Sequence, residues 1–314
     1  MKVRSLIAAC AVVLVASTSH AADFISVLTG GTSGVYYPLG VALSQIYGKA
    51  MPAAKVSVQA TKASAENLNL LQAGRGEIAF SLGDALNEAW KGNEEAGFKA
   101  PLKKLRTVAA VYPNYIQIVA SADSGIKTLA DLKGKRIAVG APKSGTELNA
   151  RDIFRGAGMT YKDFGKVEYL PFGESVELMK NRQLDATLIS AGLGVAAVRD
   201  LSVAQKIVIV PIPPEVVARI GEAAYQSADI PAKTYEGQNA DVQSVAVQNF
   251  LVTHEGVPLD TVYTMTKAMF DNLDQLAAAH AAAKVIRKET AAKAPPVPLH
   301  PGAEKYYREV GLIK

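Results

Sequence analysis

The sequence predicts an α/β fold in two lobes joined by a hinge of two crossing strands. Three observations predict it. Apolar strand-like runs alternate with amphipathic helical runs, the pattern of parallel sheets flanked by helices. Two extended double runs, Thr107 to Tyr112 with Ile116 to Ala120 and Val242 to Val247 with Phe250 to Thr253, are divided by Pro113-Asn114 and Gln248-Asn249. A chain that leaves one lobe, builds a second and returns needs two such crossings. The length of 314 residues exceeds one ordinary core and suits two lobes of about 100–150 residues each.

The elements follow in order. Phe24 to Leu28 reads as a strand, and Tyr36 to Ala50 as a helix burying Leu39, Leu43, Ile46 and Tyr47. Lys55 to Ala60 is a second strand. A helix capped by Ser64 then carries Leu68 and Leu71 and stops at Gly74. Ile78 to Leu82 is a third strand, and the charged segment Asn93 to Pro101 a surface loop. Between the crossings, Arg136 to Gly140 reads as a strand, followed by a helix burying Ala150, Ile153, Phe154 and Ala157 at helical spacing. Val167 to Leu170 and Ala186 to Ser190 are further strands. Leu259 to Leu273 and the alanine-rich Gln275 to Ala292 read as helices, ended by Pro295-Pro296-Val297-Pro298. This assigns residues 22–111 and 250–314 to a discontinuous first lobe and residues 112–249 to the second.

The N-terminus bounds the compartment. Lys2 and Arg4 precede an apolar run from Ser5 to Ala16, and Ser19-His20-Ala21 offers small residues for cleavage. That order is a secretory signal over residues 1–21. Its apolar run is shorter than the roughly 20 residues that span a bilayer. The expected product is periplasmic, not membrane-embedded and monomeric. Cys10, the only cysteine, falls within the signal, which excludes disulfides, zinc–thiolate sites and a cysteine nucleophile from the processed chain. The formal charge of +5 falls by two without Lys2 and Arg4. The remaining charges are interspersed, which permits an anionic small ligand and shows no nucleic-acid footprint.

Two loops join a strand end to a helix start: Thr29-Gly30-Gly31-Thr32-Ser33-Gly34 before Val35-Tyr36, and Ala141-Pro142-Lys143-Ser144-Gly145-Thr146. Glycine lets backbone approach a ligand, and the free N–H groups of a helix start attract anions. Gly31, Thr32, Gly34 and Tyr36, with Ser144, Gly145 and Thr146, are therefore candidate ligand-binding residues for a small acid held across a cleft. Ordinary strand–helix turns also use glycine and serine, so each loop has a purely structural reading. Further candidates are Ser64 and Asn67 at a helix start beside Lys62, Ser81 and Asp84 after the third strand, Ser190 at a second-lobe strand end, and Tyr112 at the first crossing. Ser64 and Asp84 could equally cap helices, and Tyr112 could be packed at the crossing. No phosphate-loop or dinucleotide fingerprint is present. His254, His280 and His300 have no partners at motif spacing, and neither a His-Glu-x-x-His nor a Gly-x-Ser-x-Gly motif occurs. The chain thus reads as a binding protein rather than an enzyme, with no cofactor or metal.

Thr29-Gly-Gly-Thr-Ser-Gly-Val-Tyr-Tyr-Pro-Leu-Gly40, Ser64-Ala-Glu-Asn67, Leu129 to Gly140, Ser144-Gly-Thr-Glu147 and Leu299-His-Pro-Gly-Ala-Glu-Lys-Tyr-Tyr307 occur in this order. Together they resemble the TAXI family, the solute-binding components of one class of TRAP transporters. The resemblance implies a type II periplasmic-binding-protein fold that closes on its solute and docks on TRAP membrane permease subunits. It also implies a small organic acid of the glutamate or 2-oxoglutarate type. Two positions depart from the family pattern: Lys62-Ala63 replaces glycines, and Gly192-Leu193-Gly194 lacks a proline. The same fold admits a second reading, the binding component of an ATP-driven importer for a small heterocycle. A periplasmic enzyme is a third reading, for which the sequence offers no paired nucleophile and base.

Overall fold

The computed structural model describes residues 24–314, so the signal read over residues 1–21 lies outside the described residues. The chain begins β1 (Phe24–Leu28), α1 (Tyr36–Ala50), β2 (Lys55–Gln59), α2 (Ser64–Gln72), β3 (Ile78–Leu82) and α3 (Gly83–Lys91). A long strand, β4 (Leu105–Ser121), leads to β5 (Arg136–Ala138), α4 (Gly145–Gly156), β6 (Lys166–Glu168) and α5 (Phe172–Lys180). Then come β7 (Ala186–Ala191), α6 (Ala196–Ala204), β8 (Ile207–Val210), α7 (Pro214–Ile220) and β9 (Tyr225–Ile230). A second long strand, β10 (Val242–His254), returns to α8 (Leu259–Asp271), α9 (Leu273–Ala279), α10 (Lys288–Ala291) and α11 (Pro301–Glu309).

The strand order is β2-β1-β3-β10-β4-β7-β5-β6, with β8 also on β4 and β9 on β10. β1 runs parallel to β2 and β3, and β5 runs parallel to β6 and β7, as strand–helix alternation requires. β4 and β10 are antiparallel from Leu105↔His254 to Tyr115↔Ala246. Each then serves two sets of neighbours. In β10, Asn249 to Val252 pair with β3, whereas Val242 to Val247 pair with β9. In β4, Tyr115 to Ala120 pair with β7 and Ile118 to Ser121 with β8. These two shared strands are the hinge of the two-lobed α/β fold.

Alternate residues of the strands feed opposite faces. Ile78 and Phe80 join the apolar cluster containing Leu43 and Met265, while Ala79 between them joins the one containing Leu68 and Phe98. The sheet is therefore covered on both faces, which explains why β3 and β7 are apolar with little alternation.

Several local expectations change. Each crossing is one continuous strand rather than two runs, because Pro113 lies opposite Gln248 beside a register shift where a missing N–H is tolerated. The helix read over Gln275 to Ala292 breaks after Ala279. His280 adopts an extended backbone and its Nδ1 accepts the Ala282 N–H, starting a separate 3-10 turn over Ala281–Val285. That local cap overrides the helical propensity of alanine. Ser64 is the first residue of α2 rather than its cap, and its hydroxyl oxygen accepts the Leu82 N–H at 3.2 Å. The strand read to Gly140 ends at Ala138, and β6 sits slightly upstream of the run Val167 to Leu170.

Asn249 is fully buried at the hinge. Its Nδ2 donates to the Tyr112 carbonyl at 2.9 Å and to Asn114 Oδ1 at 2.7 Å, and its Oδ1 accepts from the Tyr36 hydroxyl. Asn249→Ala leaves these groups without partners, at about 1–3 kcal/mol each. Urea denaturation is expected to show a loss of about 2–5 kcal/mol. A loss below about 1 kcal/mol would mean that water takes the amide's place.

Candidate functional site

A cavity of about 120 Å³ lies where the strand ends of both lobes meet the hinge. The β1–α1 loop contributes Gly30, Gly31, Gly34 and Tyr36, and the β2–α2 loop contributes Thr61 to Ser64. Leu82 ends β3. From the other side come Ser144, Gly145 and Thr146 at the start of α4, Phe172 at the start of α5, and Ser190 on β7. Tyr112 and Asn114 form its floor on β4. Ligands of open α/β sheets occupy this end of the strands, because the loops there face a crevice.

Helix starts supply much of the wall. Ser144 caps α4 by accepting the Glu147 N–H at 3.1 Å, and the Gly145 and Thr146 N–H groups have no partner among the described residues. α1 and α2 begin at the same cavity, where their first N–H groups also lack intrahelical acceptors. Lys62, exposed at the rim, is the only charged residue of the lining. The Tyr36 ring stacks on Phe80 with centroids 5.0 Å apart. Tyr112 is fully buried, yet its hydroxyl has no hydrogen-bond partner among the described residues. Burial holds the Tyr112 phenol well above its ordinary range, so it stays a donor.

The lobes are in contact around the cavity. The Glu66 N–H donates to the Lys143 carbonyl at 3.2 Å, and the Ala197 N–H to the Ser33 carbonyl at 3.3 Å. On the opposite flank, Asp84 Oδ2 accepts from Asn149 Nδ2 at 2.6 Å and from the Tyr225 hydroxyl at 2.9 Å. This is a closed form.

Of the residues singled out from the sequence, Gly31, Gly34, Tyr36, Ser64, Tyr112, Ser144, Gly145, Thr146 and Ser190 line the cavity. Four do not. Thr32 is exposed on the outer side of its loop, beside Glu174 and Glu177. Asn67 is buried and braces the wall from behind: its Nδ2 donates to the carbonyls of Thr29 and Phe80, and its Oδ1 accepts from Thr61. Ser81 points to the other sheet face from Leu82 and donates to the Leu82 carbonyl. Asp84 faces Asn149 and Tyr225 at the separate interlobe contact. Thr61, Asn114 and Phe172 line the cavity without having been singled out. Phe172 was signalled by Pro171 at a helix start, and Asn114 by its place in the crossing itself.

Asp84 is strongly perturbed. Burial is the main cause that pushes its carboxyl up to about 7, with the Asp152 and Glu222 charges adding to it. The Ala85 N–H and Tyr225 hydroxyl act in the opposite direction.

Two α/β lobes meet across a pair of shared strands with the cavity between them. The chain belongs to the NMT1-like family, which it matches over residues 27–311. It is similar to the solved structure of a putative L-cystine ABC transporter from Listeria monocytogenes, with 16% identity, a TM-score of 0.53, and coverage of 84% of this chain and 98% of that one. A structure described as a periplasmic transporter matches at 12% identity and TM-score 0.56, over 93% and 94% of the two chains. A protein of Bordetella bronchiseptica RB50 matches at 13% and 0.52, over 91% and 98%. At such identities the likeness is one of fold. Among the described residues, no helix is long and apolar enough to cross a membrane.

Proposed function

We propose that the chain is the periplasmic solute-binding component of an importer and that it encloses a small organic anion between its lobes. The observation supporting this reading is the convergence of the α1, α2 and α4 starts with Lys62 on one cavity between the lobes. An exposed helix start contributes only about 0.3–1 kcal/mol to an anion. Several acting together in a drier site contribute more, because screening by water is weaker there. We place the lobe boundaries at residues 22–111 with 250–314, and 112–249, where the two long strands change neighbours. Binding rather than catalysis fits a lining in which Ser64, Ser144 and Thr146 have neither histidine nor carboxylate beside them.

Likeness to an L-cystine ABC transporter protein favours an ATP-driven partner. The motifs Thr29 to Gly40 and Leu299 to Tyr307 favour instead an ion-driven TRAP permease. Uptake of the identified solute into energised vesicles, with ATP hydrolysis or the ion gradient abolished in turn, separates the two.

Thr146→Ala tests the site. Its hydroxyl has no partner among the described residues and lines the cavity. Loss of a hydrogen bond to a charged solute is expected to weaken calorimetric affinity about ten- to a hundredfold, without lowering the melting temperature of the unliganded protein. Unchanged affinity with a lowered unliganded melting temperature would remove Thr146 from the site.

A further inference from the structure

We infer that the solute is an acceptor-only anion, a carboxylate or sulfonate without a free ammonium group, and that the Tyr112 hydroxyl donates to it. The inference rests on the anion reading above and narrows it. Several side-chain acceptors at the cavity wall already accept a hydrogen bond from the protein. Asn114 Oδ1 takes the Asn249 amide at 2.7 Å, and Thr61 Oγ1 takes the Ala63 N–H at 2.9 Å. Ser64 and Ser144 accept the backbone N–H groups of Leu82 and Glu147, and each keeps a hydroxyl proton to donate. Free for a guest are the donor-only α4 N–H groups, with the Thr146 and Tyr112 hydroxyls able to donate beside them.

No aspartate or glutamate is among the lining residues, and the one charged group, Lys62, is itself a cation. A zwitterionic amino acid would bring three more donors and a positive charge into this enclosure, unpaired and facing a like charge. Its deaminated counterpart brings only acceptors. Tyr112 gives the same direction from a different observation. A buried donor without a partner is costly, and a solute oxygen relieves that cost on binding. The hydroxyl therefore discriminates between guests that present an acceptor at the β4 floor and those that present a methyl or an ammonium group.

The test uses matched pairs in calorimetry on the ligand-stripped protein: 2-oxoglutarate with L-glutamate, phenylpyruvate with L-phenylalanine, 4-methyl-2-oxopentanoate with L-leucine, and ethanesulfonate with taurine. In each pair that binds, the member without the amine is expected to bind at least about tenfold more tightly. Tyr112→Phe is expected to weaken the best anion about tenfold while the unliganded protein melts no lower, since that hydroxyl has no partner to lose. An amine-bearing member that binds as tightly as its counterpart overturns the inference and leaves the anion reading standing. Unchanged affinity in Tyr112→Phe overturns the role of that hydroxyl. If no member of any pair binds, the anion reading falls, and this inference with it.

Discussion

Replacing Gly145 by valine is expected to lower solute affinity by about a hundredfold or more, with the melting temperature of the unliganded protein changed by no more than about 2 °C. The reason is a contact that exists only when the lobes meet. A Cβ on Gly145 would stand 2.6 Å from both Ser64 Oγ and Leu82 Cδ1, and 3.0 Å from Ser64 Cβ. Gly145 opens α4 in one lobe, whereas Ser64 and Leu82 belong to α2 and β3 in the other. Gly145 is not among the positive-φ residues, so valine fits the isolated helix start and clashes only on closure. A solute shifts the open–closed equilibrium by its differential affinity for the two forms. A clash of about 2.7 kcal/mol in the closed form costs two orders of magnitude in affinity. Calorimetry reads the affinity, and small-angle scattering with solute present reads the retained open form. Wild-type affinity in Gly145→Val would show that Ser64 and Leu82 yield, or that the solute binds without closure.

The hinge and the parallel sheets were legible because each rests on a repeating physical signal. β1, α1, β2 and β3 follow the alternation closely, since their apolar periods and glycine stops agree. Pro113 and Gln248-Asn249 marked the crossings even though the strands run through them, because a proline beside a bulge interrupts apolar periodicity without interrupting the strand. β9 was not legible. Its sequence Tyr-Gln-Ser-Ala-Asp-Ile buries little beyond its two ends, so pairing with β10 rather than hydrophobicity makes it a strand. The break at His280 escaped because it depends on one imidazole reaching a backbone N–H, a rotamer that no window of alanines reveals.

The cavity was legible in its loops and less so in its floor. Strand–helix turns with glycine and serine announce themselves by composition, and Gly31, Ser64, Gly145 and Thr146 came from them. Which face a strand-end residue takes depends on sheet register. Ser81 therefore turned away where Leu82 faced inward, and Asn67 served as a brace between two loops and β3. The vacant hydrogen-bond capacity of Tyr112 is a three-dimensional fact, because it depends on which neighbours fail to reach the ring's end.

Solute affinity is also expected to fall as pH rises from 5.5 to 8, and Asp84→Asn to abolish that dependence. Asp84 on α3 is 2% exposed and meets the second lobe through Asn149 and Tyr225. Tyr225 has one proton and two carboxylate neighbours, Asp84 Oδ2 at 2.9 Å and Asp152 Oδ2 at 2.7 Å. Glu88 and Glu222 add negative charge nearby, while Arg151 and Arg155 line the same pocket with positive charge. Asp84 Oδ1 and Asn149 Oδ1 are both buried without partners among the described residues. A proton on Asp84 Oδ1 supplies the donor this contact lacks, whereas an ionised Asp84 leaves a buried charge between lobes. In the open form the carboxyl regains water, and its pKa returns toward about 4; in the closed form burial raises it to about 7. Closure therefore takes up a proton between those values. The stabilisation is fully present below the open-form pKa and lost as pH rises through the closed-form value. Affinity should weaken by up to about tenfold per pH unit below pH 7 and level off above it. Starting at pH 5.5 keeps a carboxylate solute ionised throughout, and a sulfonate solute removes its titration altogether. Asp84→Asn carries the neutral acid's donor and acceptor without the charge, so it is expected to hold its affinity flat, near the limit that wild type approaches below about pH 4. A slope in Asp84→Asn equal to that of wild type would assign the titration to another group.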